Sequence, residues 1–265
     1  MVAPSYSPAT RPLVTVLTAT FNALDGLKHT VQSVAAQTAG SVEHVIVDGG
    51  SSDGTQDYLA SLGDRVRWIS EADDGIADAM NKGIAMARGE YILVLHAEDS
   101  FVDDDSLLRA SRELGGGADM INFGVILAKV DGDQLVLKPR PFSFFTNLRM
   151  LNPHQGLFTR KAVFEKIGMF DARFRLGMDY EHLLRAKKAG FTLRAVGEVL
   201  AVMPATGVSS REDWAARHDL LMEQWRAQVK TRPGLLPRLG YALFWAGFYP
   251  AYYLKNRFFR NRRFY

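Results

Sequence analysis

Short apolar runs alternate with amphipathic segments along the first half of the chain. Leu13-Val14-Thr15-Val16-Leu17-Thr18, His44-Val45-Ile46-Val47 and Tyr91-Ile92-Leu93-Val94-Leu95 read as strands buried on both faces, with Arg67-Trp68-Ile69 a shorter one. Between them Leu24, Leu27, Val31, Val34 and Ala35, then Ile76, Met80, Ile84 and Ala87, recur at helical spacing. Strand alternating with helix predicts an α/β fold with a mostly parallel sheet covered on both faces. In such a sheet ligands gather beyond the carboxyl ends of the strands. Here those ends are polar and glycine-rich: Thr18-Ala19-Thr20-Phe21-Asn22, Asp48-Gly49-Gly50-Ser51-Ser52-Asp53-Gly54-Thr55, Glu71-Ala72-Asp73-Asp74-Gly75 and His96-Ala97-Glu98-Asp99-Ser100. An acidic strand end suits a hard cation holding phosphate oxygens, but Glu98-Asp99-Ser100 serves equally well as the cap of a following helix.

The pattern becomes irregular further on. Residues 115–123 read as a turn and strand, and Asp131-Gly132-Asp133 as a hairpin turn between flanks 125–130 and 134–138. The aromatic stretch 139–153 has no period and is a candidate lid. Asn152-Pro153-His154-Gln155-Gly156 precedes a helix over 161–167. A further helix carries Asp179 in its first turn, where a carboxylate also works as a cap. On that helix Glu181 reads as structural and His182 as a surface residue. Residues 191–196 form a last strand, and 204–210 a Gly/Ser loop. Residues 213–230 form an amphipathic helix with Trp214, Arg217, Leu221 and Trp225 on the side expected to pack on the domain.

Composition narrows the chemistry. The 265 residues are 47% hydrophobic and 23% charged, enough for a real core. The absence of cysteine excludes disulfides, zinc–thiolate sites and cysteine nucleophiles. No G-x-x-x-x-G-K-[ST] run is present, and the glycines at 49, 50 and 54 lack the dinucleotide-binding spacing. Phosphates are therefore not expected in a glycine loop, and a nucleotide-dependent oxidoreductase is disfavoured.

Four of these segments carry a family resemblance. Residues 18–22, Val47 to Thr55, Asp74-Gly75-Ile76-Ala77-Asp78-Ala79-Met80-Asn81-Lys82-Gly83, and Leu95 to Asp99 resemble, in order and separation, the serial motifs of glycosyltransferase family 2 with its GT-A fold, over roughly residues 12–200. The resemblance implies an inverting sugar transfer from a nucleotide-diphosphate sugar, UDP-linked by family habit, to a hydroxyl of a glycan or lipid-linked acceptor in surface polysaccharide assembly. It places Thr18, Ala19, Thr20, Asn22 and Asp48 around the base and ribose, with Gly75, Asp78 and Asn81 flanking the nucleotide-sugar. It makes residues 96–99 the metal motif for Mg²⁺ or Mn²⁺. The sequence departs from the usual Asp-x-Asp there. Asp99 is left as the expected metal ligand, with His96, Ala97 and Glu98 beside the donor. His96 reads equally well as a residue satisfied at a strand end. Asp179 becomes the expected catalytic base, although Met178 stands where the family's usual glutamate would be. His154 and Gln155 match a pair found near the sugar in one subgroup, and an ordinary loop histidine explains His154 as well. A non-catalytic nucleotide-sugar-binding or scaffold protein at the membrane is the alternative.

The net charge of +3 hides an asymmetry. No acidic residue follows Glu223, while nine basic ones do; the chain up to Glu223 carries −6. Residues 235–254 are apolar and aromatic, interrupted by Pro237, Arg238 and Pro250, and the run 239–249 is too short to span a bilayer. Residues 255–265 interleave five cations with Phe258, Phe259, Phe264 and Tyr265. That composition suits a membrane interface, with packing on the core or on a second copy of the chain as the other readings. No recognition fold for nucleic acid accompanies it. The start lacks the apolar stretch of a signal peptide. The expected organisation is a disordered 1–11, a glycosyltransferase domain over 12–210 (a nucleotide-sugar half, 12–115, and an acceptor half, 116–210), and C-terminal helices over 211–265. The expected location is cytoplasmic, peripheral on the inner face of the membrane.

Overall fold

A computed structural model describes residues 11–205, 214–232 and 234–258, with side chains to Leu254. The expectations for 1–10, for most of the Gly/Ser loop and for the cationic end of the tail fall outside these residues. Nine strands form one sheet. The N-terminal half contributes β1 (Val14–Thr20), β2 (Val42–Asp48), β3 (Arg67–Ser70) and β4 (Tyr91–Val94), side by side in the order β3-β2-β1-β4 and all parallel. The parallel pairing follows from the crossovers α1 (Leu24–Ala35), α2 (Thr55–Ser61) and α3 (Ile76–Met86), which return the chain to the same edge before each new strand.

The second half makes the sheet mixed where the sequence predicts a mostly parallel one. β5 (Ser100–Phe101), β6 (Met120–Ala128), β7 (Gln134–Leu137), β8 (Leu157–Arg160) and β9 (Leu193–Pro204) continue the order as β4-β8-β6-β9-β5, with β7 on β6. β8 runs antiparallel to both β4 and β6, and only β6–β9 is parallel. β8 was not legible as a strand because Leu157-Phe158-Thr159-Arg160 is only four residues long and merges into α5 (Lys161–Ile167). The predicted hairpin at 131–133 is present, joining β6 to β7.

Alternation along β1 explains the layers. Leu17 and Ala19 face a core with Met80 and Ile84 of α3 and with Phe164, Tyr180 and Leu184 from α5 and α6 (Met178–Lys188). Val14 and Val16 face the opposite core, with Leu107 and Leu114 of α4 (Ser106–Leu114). The strand and helix that follow residue 99 remove the capping reading: α4 begins only at Ser106, after β5.

The C-terminal helices depart from the predicted packing. α7 (Trp214–Thr231) lays Glu223, Gln224, Ala227, Gln228 and Thr231 on the domain, all buried. The side bearing Trp214 and Arg217 faces α8 (Leu235–Phe258) instead: Trp214 meets Tyr249 and Tyr253, and Arg217 donates to the Tyr252 hydroxyl at 2.7 Å. Trp225 is 41% exposed. The polar face wins because its amides and carboxylate find partners on the domain. α8 is continuous through Pro237 and Pro250, where the sequence suggested interruptions. Pro237 sits in the first turn, where its missing N–H costs nothing. No helix among the described residues is long and apolar enough to cross a membrane.

Candidate active site

Because β1, β2 and β4 are parallel neighbours, their carboxyl ends share one edge of the sheet. Beyond β4 the chain turns sharply. Glu98 takes a left-handed backbone conformation (φ +79), which leaves its side chain in solvent and turns Asp99 inward to 4% exposure. Thr30 of α1 fixes this turn from behind by donating to the Asp99 carbonyl at 2.7 Å. The Asp99 carboxylate accepts from the His96 backbone N–H (2.9 Å) and from Gln155 Nε2 (3.2 Å). Burial raises its pKa to about 6, against an opposing pull from nearby His154.

His154 and Gln155 lie on the single turn that leads into β8. Gly156 lets this turn sit against the sheet, since a Cβ there would overlap the Phe123 carbonyl oxygen of β6. Gly156→Ala is expected to destabilise the fold by about 1–3 kcal/mol and to displace the His154-Gln155 pair. A thermal melt checks the first effect, and donor affinity the second.

The same turn reaches a second carboxylate. His154 Nδ1 is 3.7 Å from Asp179 Oδ2, and Asp179 Oδ1 accepts the Tyr180 N–H at 2.7 Å in the first turn of α6. The His154 ring meets His96 edge-on at 4.8 Å. Both His96 ring nitrogens and His154 Nε2 are buried without a partner. Burial, with His154 adding to it, lowers the His96 pKa to about 3, so its imidazole is neutral. Unpaired polar atoms in a cleft of this kind are costly unless something binds there. Residues 96–99, 154–155 and 179, from three distant parts of the chain, thus meet in one place.

The donor-side residues divide. Ala19 and Ala97 adjoin at the ends of β1 and β4, the Ala97 N–H pointing to the Ala19 carbonyl at 3.5 Å. The Thr20 hydroxyl is buried with no hydrogen-bond partner. Gly75 is exposed, with φ +114, at the start of α3. Asp78, there too, is paired with Lys82 at 3.2 Å. Four others are committed to the protein. Thr18 is fully buried and bonded to His44 Nε2 (2.9 Å), which turns its side chain to the sheet and away from the cleft. Asn22 Oδ1 accepts the Ser52 N–H at 2.9 Å, tying the first loop to the second. Asp48 is fully buried and accepts from Ser51 and from the Ser70 hydroxyl (2.6 Å). Asn81 donates to and accepts from the Phe170 backbone, both at 2.9 Å. These bonds tie the four side chains to the loops around the cleft.

Among the described residues no three His, Asp or Glu side chains converge on one point. Mg²⁺ or Mn²⁺ arriving with a diphosphate needs only one or two protein carboxylates, and of the acids at this strand end Asp99 is the one turned inward.

The model of the family described as "Glycosyl transferase family 2" matches residues 15–176. The chain belongs to glycosyltransferase family 2. It is 37% identical over 212 residues to an uncharacterized glycosyltransferase of Mycobacterium tuberculosis, covering 77% of this chain and 80% of that one. A PGL/p-HBAD biosynthesis glycosyltransferase of Mycobacterium bovis is 31% identical over 188 residues, covering 66% and 69%. Among solved structures, Staphylococcus aureus TarS 1–349 in complex with UDP-GlcNAc superposes with TM-score 0.64 at 15% identity, over 82% of this chain and 66% of that one. The mannosyltransferase PcManGT of Pyrobaculum calidifontis, in complex with GDP-Man and Mn²⁺, gives TM-score 0.64 at 19% identity, over 89% and 70%. The sheet and its flanking helices are those of the GT-A fold.

In this glycosyltransferase two residues near Asp179 differ from expectation. His182 is 2% exposed and stacks on Phe164 at 4.6 Å, because the helix is buried on that side too. Glu223, which the sequence did not single out, comes from α7 to accept the backbone N–H groups of Arg175 (3.0 Å), Leu176 (2.8 Å) and Gly177 (2.8 Å), immediately before the Asp179 helix. Such a cradle of successive N–H groups suits an anion. Nothing in the pattern marked Glu223, since one acid on an amphipathic helix reads as solvated. Glu223→Ala leaves three donors unpaired and is expected to cost roughly 2–4 kcal/mol, measured by urea unfolding, with kcat falling further than donor affinity.

Proposed function

We propose that this glycosyltransferase moves a sugar from a nucleotide-diphosphate sugar, UDP-linked, to a hydroxyl of a glycan or lipid-linked acceptor, with inversion at the anomeric carbon. One observation carries the reading: the His154-Gln155 pair reaches both carboxylates, Asp99 through Gln155 and Asp179 beside His154. A sugar between them would have its diphosphate on the Asp99 side and its acceptor on the Asp179 side. The Asp179 carboxylate takes the proton of the acceptor hydroxyl as that oxygen bonds to the anomeric carbon. The bond from that carbon to the diphosphate oxygen breaks, and its electron pair leaves with the nucleotide. Attack from the face opposite the leaving group inverts the centre. Asp99 would hold a Mg²⁺ or Mn²⁺ ion, which would supply charge neutralisation for the departing diphosphate. Gln155 and the His96 N–H hold the Asp99 carboxylate in place, and Ala97, Thr20 and Gly75 border the donor.

The names of the relatives support a surface-glycan or glycolipid acceptor, one of them being a PGL/p-HBAD biosynthesis enzyme. The C-terminal helices support work at the inner membrane surface. α8 turns Tyr241 and Trp245 inward and leaves Leu235, Leu236, Leu239, Leu243 and Leu254 half or more exposed. This apolar face leads into the cationic end of the chain. The test is a thermal-shift screen of nucleotide-sugars with and without Mn²⁺, followed by NMR of the product's anomeric configuration. A Mn²⁺-dependent shift with one donor, lost in Asp99→Asn, and an inverted product are expected. Stabilisation without any turnover would favour the scaffold reading.

A further inference from the structure

A cavity lies away from the cleft, between the segment before α6, the outer face of α7 and the start of α8. It has a volume of about 410 Å³ and is lined by Arg173, Phe174, Trp225, Arg226, Val229, Lys230 and Arg238. That size suits a small polar group rather than a macromolecular surface. Four of the seven lining residues are cations and none is acidic.

The four cations are not equivalent. Arg173 is held by Asp171 at 2.7 Å, and Lys230 by Asp171 and Glu181, each at 2.6 Å. These pairs fix two of the walls. Arg226 lies over the Phe174 ring at 5.5 Å, and neither it nor Arg238 has a carboxylate partner among the described residues. α8 carries no acidic residue, and on α7 Glu223 is taken up by the backbone N–H groups of Arg175, Leu176 and Gly177 while Asp219 lies two turns from Arg226. Two guanidiniums with unused donors, beside a partly exposed indole at Trp225, make a receptor for a phosphate ester.

The position of the cavity points to the source of that phosphate. Arg238 belongs to the first turns of α8, whose exposed face runs through Leu235, Leu236, Leu239, Leu243, Ala246, Pro250 and Leu254 without a charge. An apolar helix face that starts at a basic pocket matches a bilayer, where acyl chains and anionic headgroups are neighbours. A soluble anion would not require the apolar face.

We propose that this cavity binds the phosphate headgroup of an anionic membrane lipid and orients the α7–α8 pair on the bilayer. The inference rests on the membrane reading above and specifies the site. α7 also carries Glu223, Gln224 and Gln228, bonded to the segment before the Asp179 helix and to Met150 and Leu148 of the 139–153 loop. The lipid site therefore fixes the orientation of the acceptor side of the cleft relative to the membrane.

The experiment is co-sedimentation of the full chain with phosphatidylcholine vesicles, with and without phosphatidylglycerol. Wild type is expected to bind the phosphatidylglycerol vesicles. Arg226→Gln with Arg238→Gln should bind them about thirtyfold more weakly, taking about fivefold per cation. The double lysine variant should keep most of the binding. Arg112→Gln with Lys138→Gln, which removes the same charge from exposed positions elsewhere, should bind as wild type does. Wild type bound to neither vesicle overturns the membrane reading itself. Wild type bound and the double glutamine variant bound equally overturns the cavity alone. If the double glutamine variant loses stabilisation by inorganic phosphate yet keeps vesicle binding, the cavity belongs to a soluble anion and the lipid is overturned. A dimer in gel filtration that the variant dissolves assigns it to a second copy, with the same consequence. Circular dichroism melts of each variant exclude unfolding as the cause of lost binding.

Discussion

Asp179→Asn is expected to reduce sugar transfer by roughly 10²–10⁴-fold while leaving donor affinity near wild type. The substitution preserves size, and the amide oxygen can still accept the Tyr180 N–H that Asp179 Oδ1 accepts now. On the proposed mechanism it removes the charge and basicity that would take the acceptor's proton. The loss should then fall on kcat, with the donor held on the Asp99 side of the cleft. Asp99→Asn should show the opposite pattern: its carboxylate lies beside Gln155 and the His96 N–H, away from the acceptor, so donor affinity and metal response should suffer first. Steady-state kinetics with varied donor and fixed acceptor separate the two. Equal turnover by wild type and Asp179→Asn would transfer the base role to another group.

Stability should fall steeply on mild acidification. Burial holds His44 and His182 neutral, each with its pKa lowered from 6.5 to about 3. An unfolded chain protonates both below about pH 6.5. The folded chain does not, so the unfolded state binds more protons and stability rises with pH across this window. Each histidine contributes a slope of about 1.4 kcal/mol per pH unit, and the two together remove about 3 kcal/mol between pH 6.5 and about pH 5. His96, lowered to about 3 as well, adds to the slope, and Asp99, raised to about 6 by burial, offsets part of it because the folded chain takes up that proton first. Urea unfolding at a series of pH values measures it. His44→Gln, which keeps an acceptor for the Thr18 hydroxyl, and His182→Leu, which keeps the apolar stacking against Phe164, should each flatten the slope by one proton's worth. An unchanged slope in both variants would mean that acid sensitivity arises elsewhere.

His182 shows how sequence reading failed locally. A histidine among Glu181, Arg185 and Lys187 looks like part of a solvated helix face. The helix is nevertheless packed on several sides: Phe164 and Phe170 cover His182, while Glu181, fully buried, is neutralised by Arg185 and by Lys230 of α7. The charges that make the helix look exposed are the partners that allow it to be buried. α7 was misjudged for the same reason, its buried side being Glu223, Gln224 and Gln228 rather than its tryptophans.

The sequence by itself determined the parallel half of the sheet, the loops at its carboxyl edge and the family to which the chain belongs. Those features rest on local periodicity and on motifs that each lie within about ten residues, and both survive in one dimension. Only the tertiary structure decided that Gln155 holds Asp99, that His154 stands beside Asp179, that Glu223 cradles the segment before α6, that Thr18 bonds His44 and that Asn81 bonds the Phe170 backbone. Each of these is a contact between segments dozens of residues apart. Whether a polar side chain meets solvent, a ligand or another buried group depends on what the fold brings against it, which no local pattern encodes.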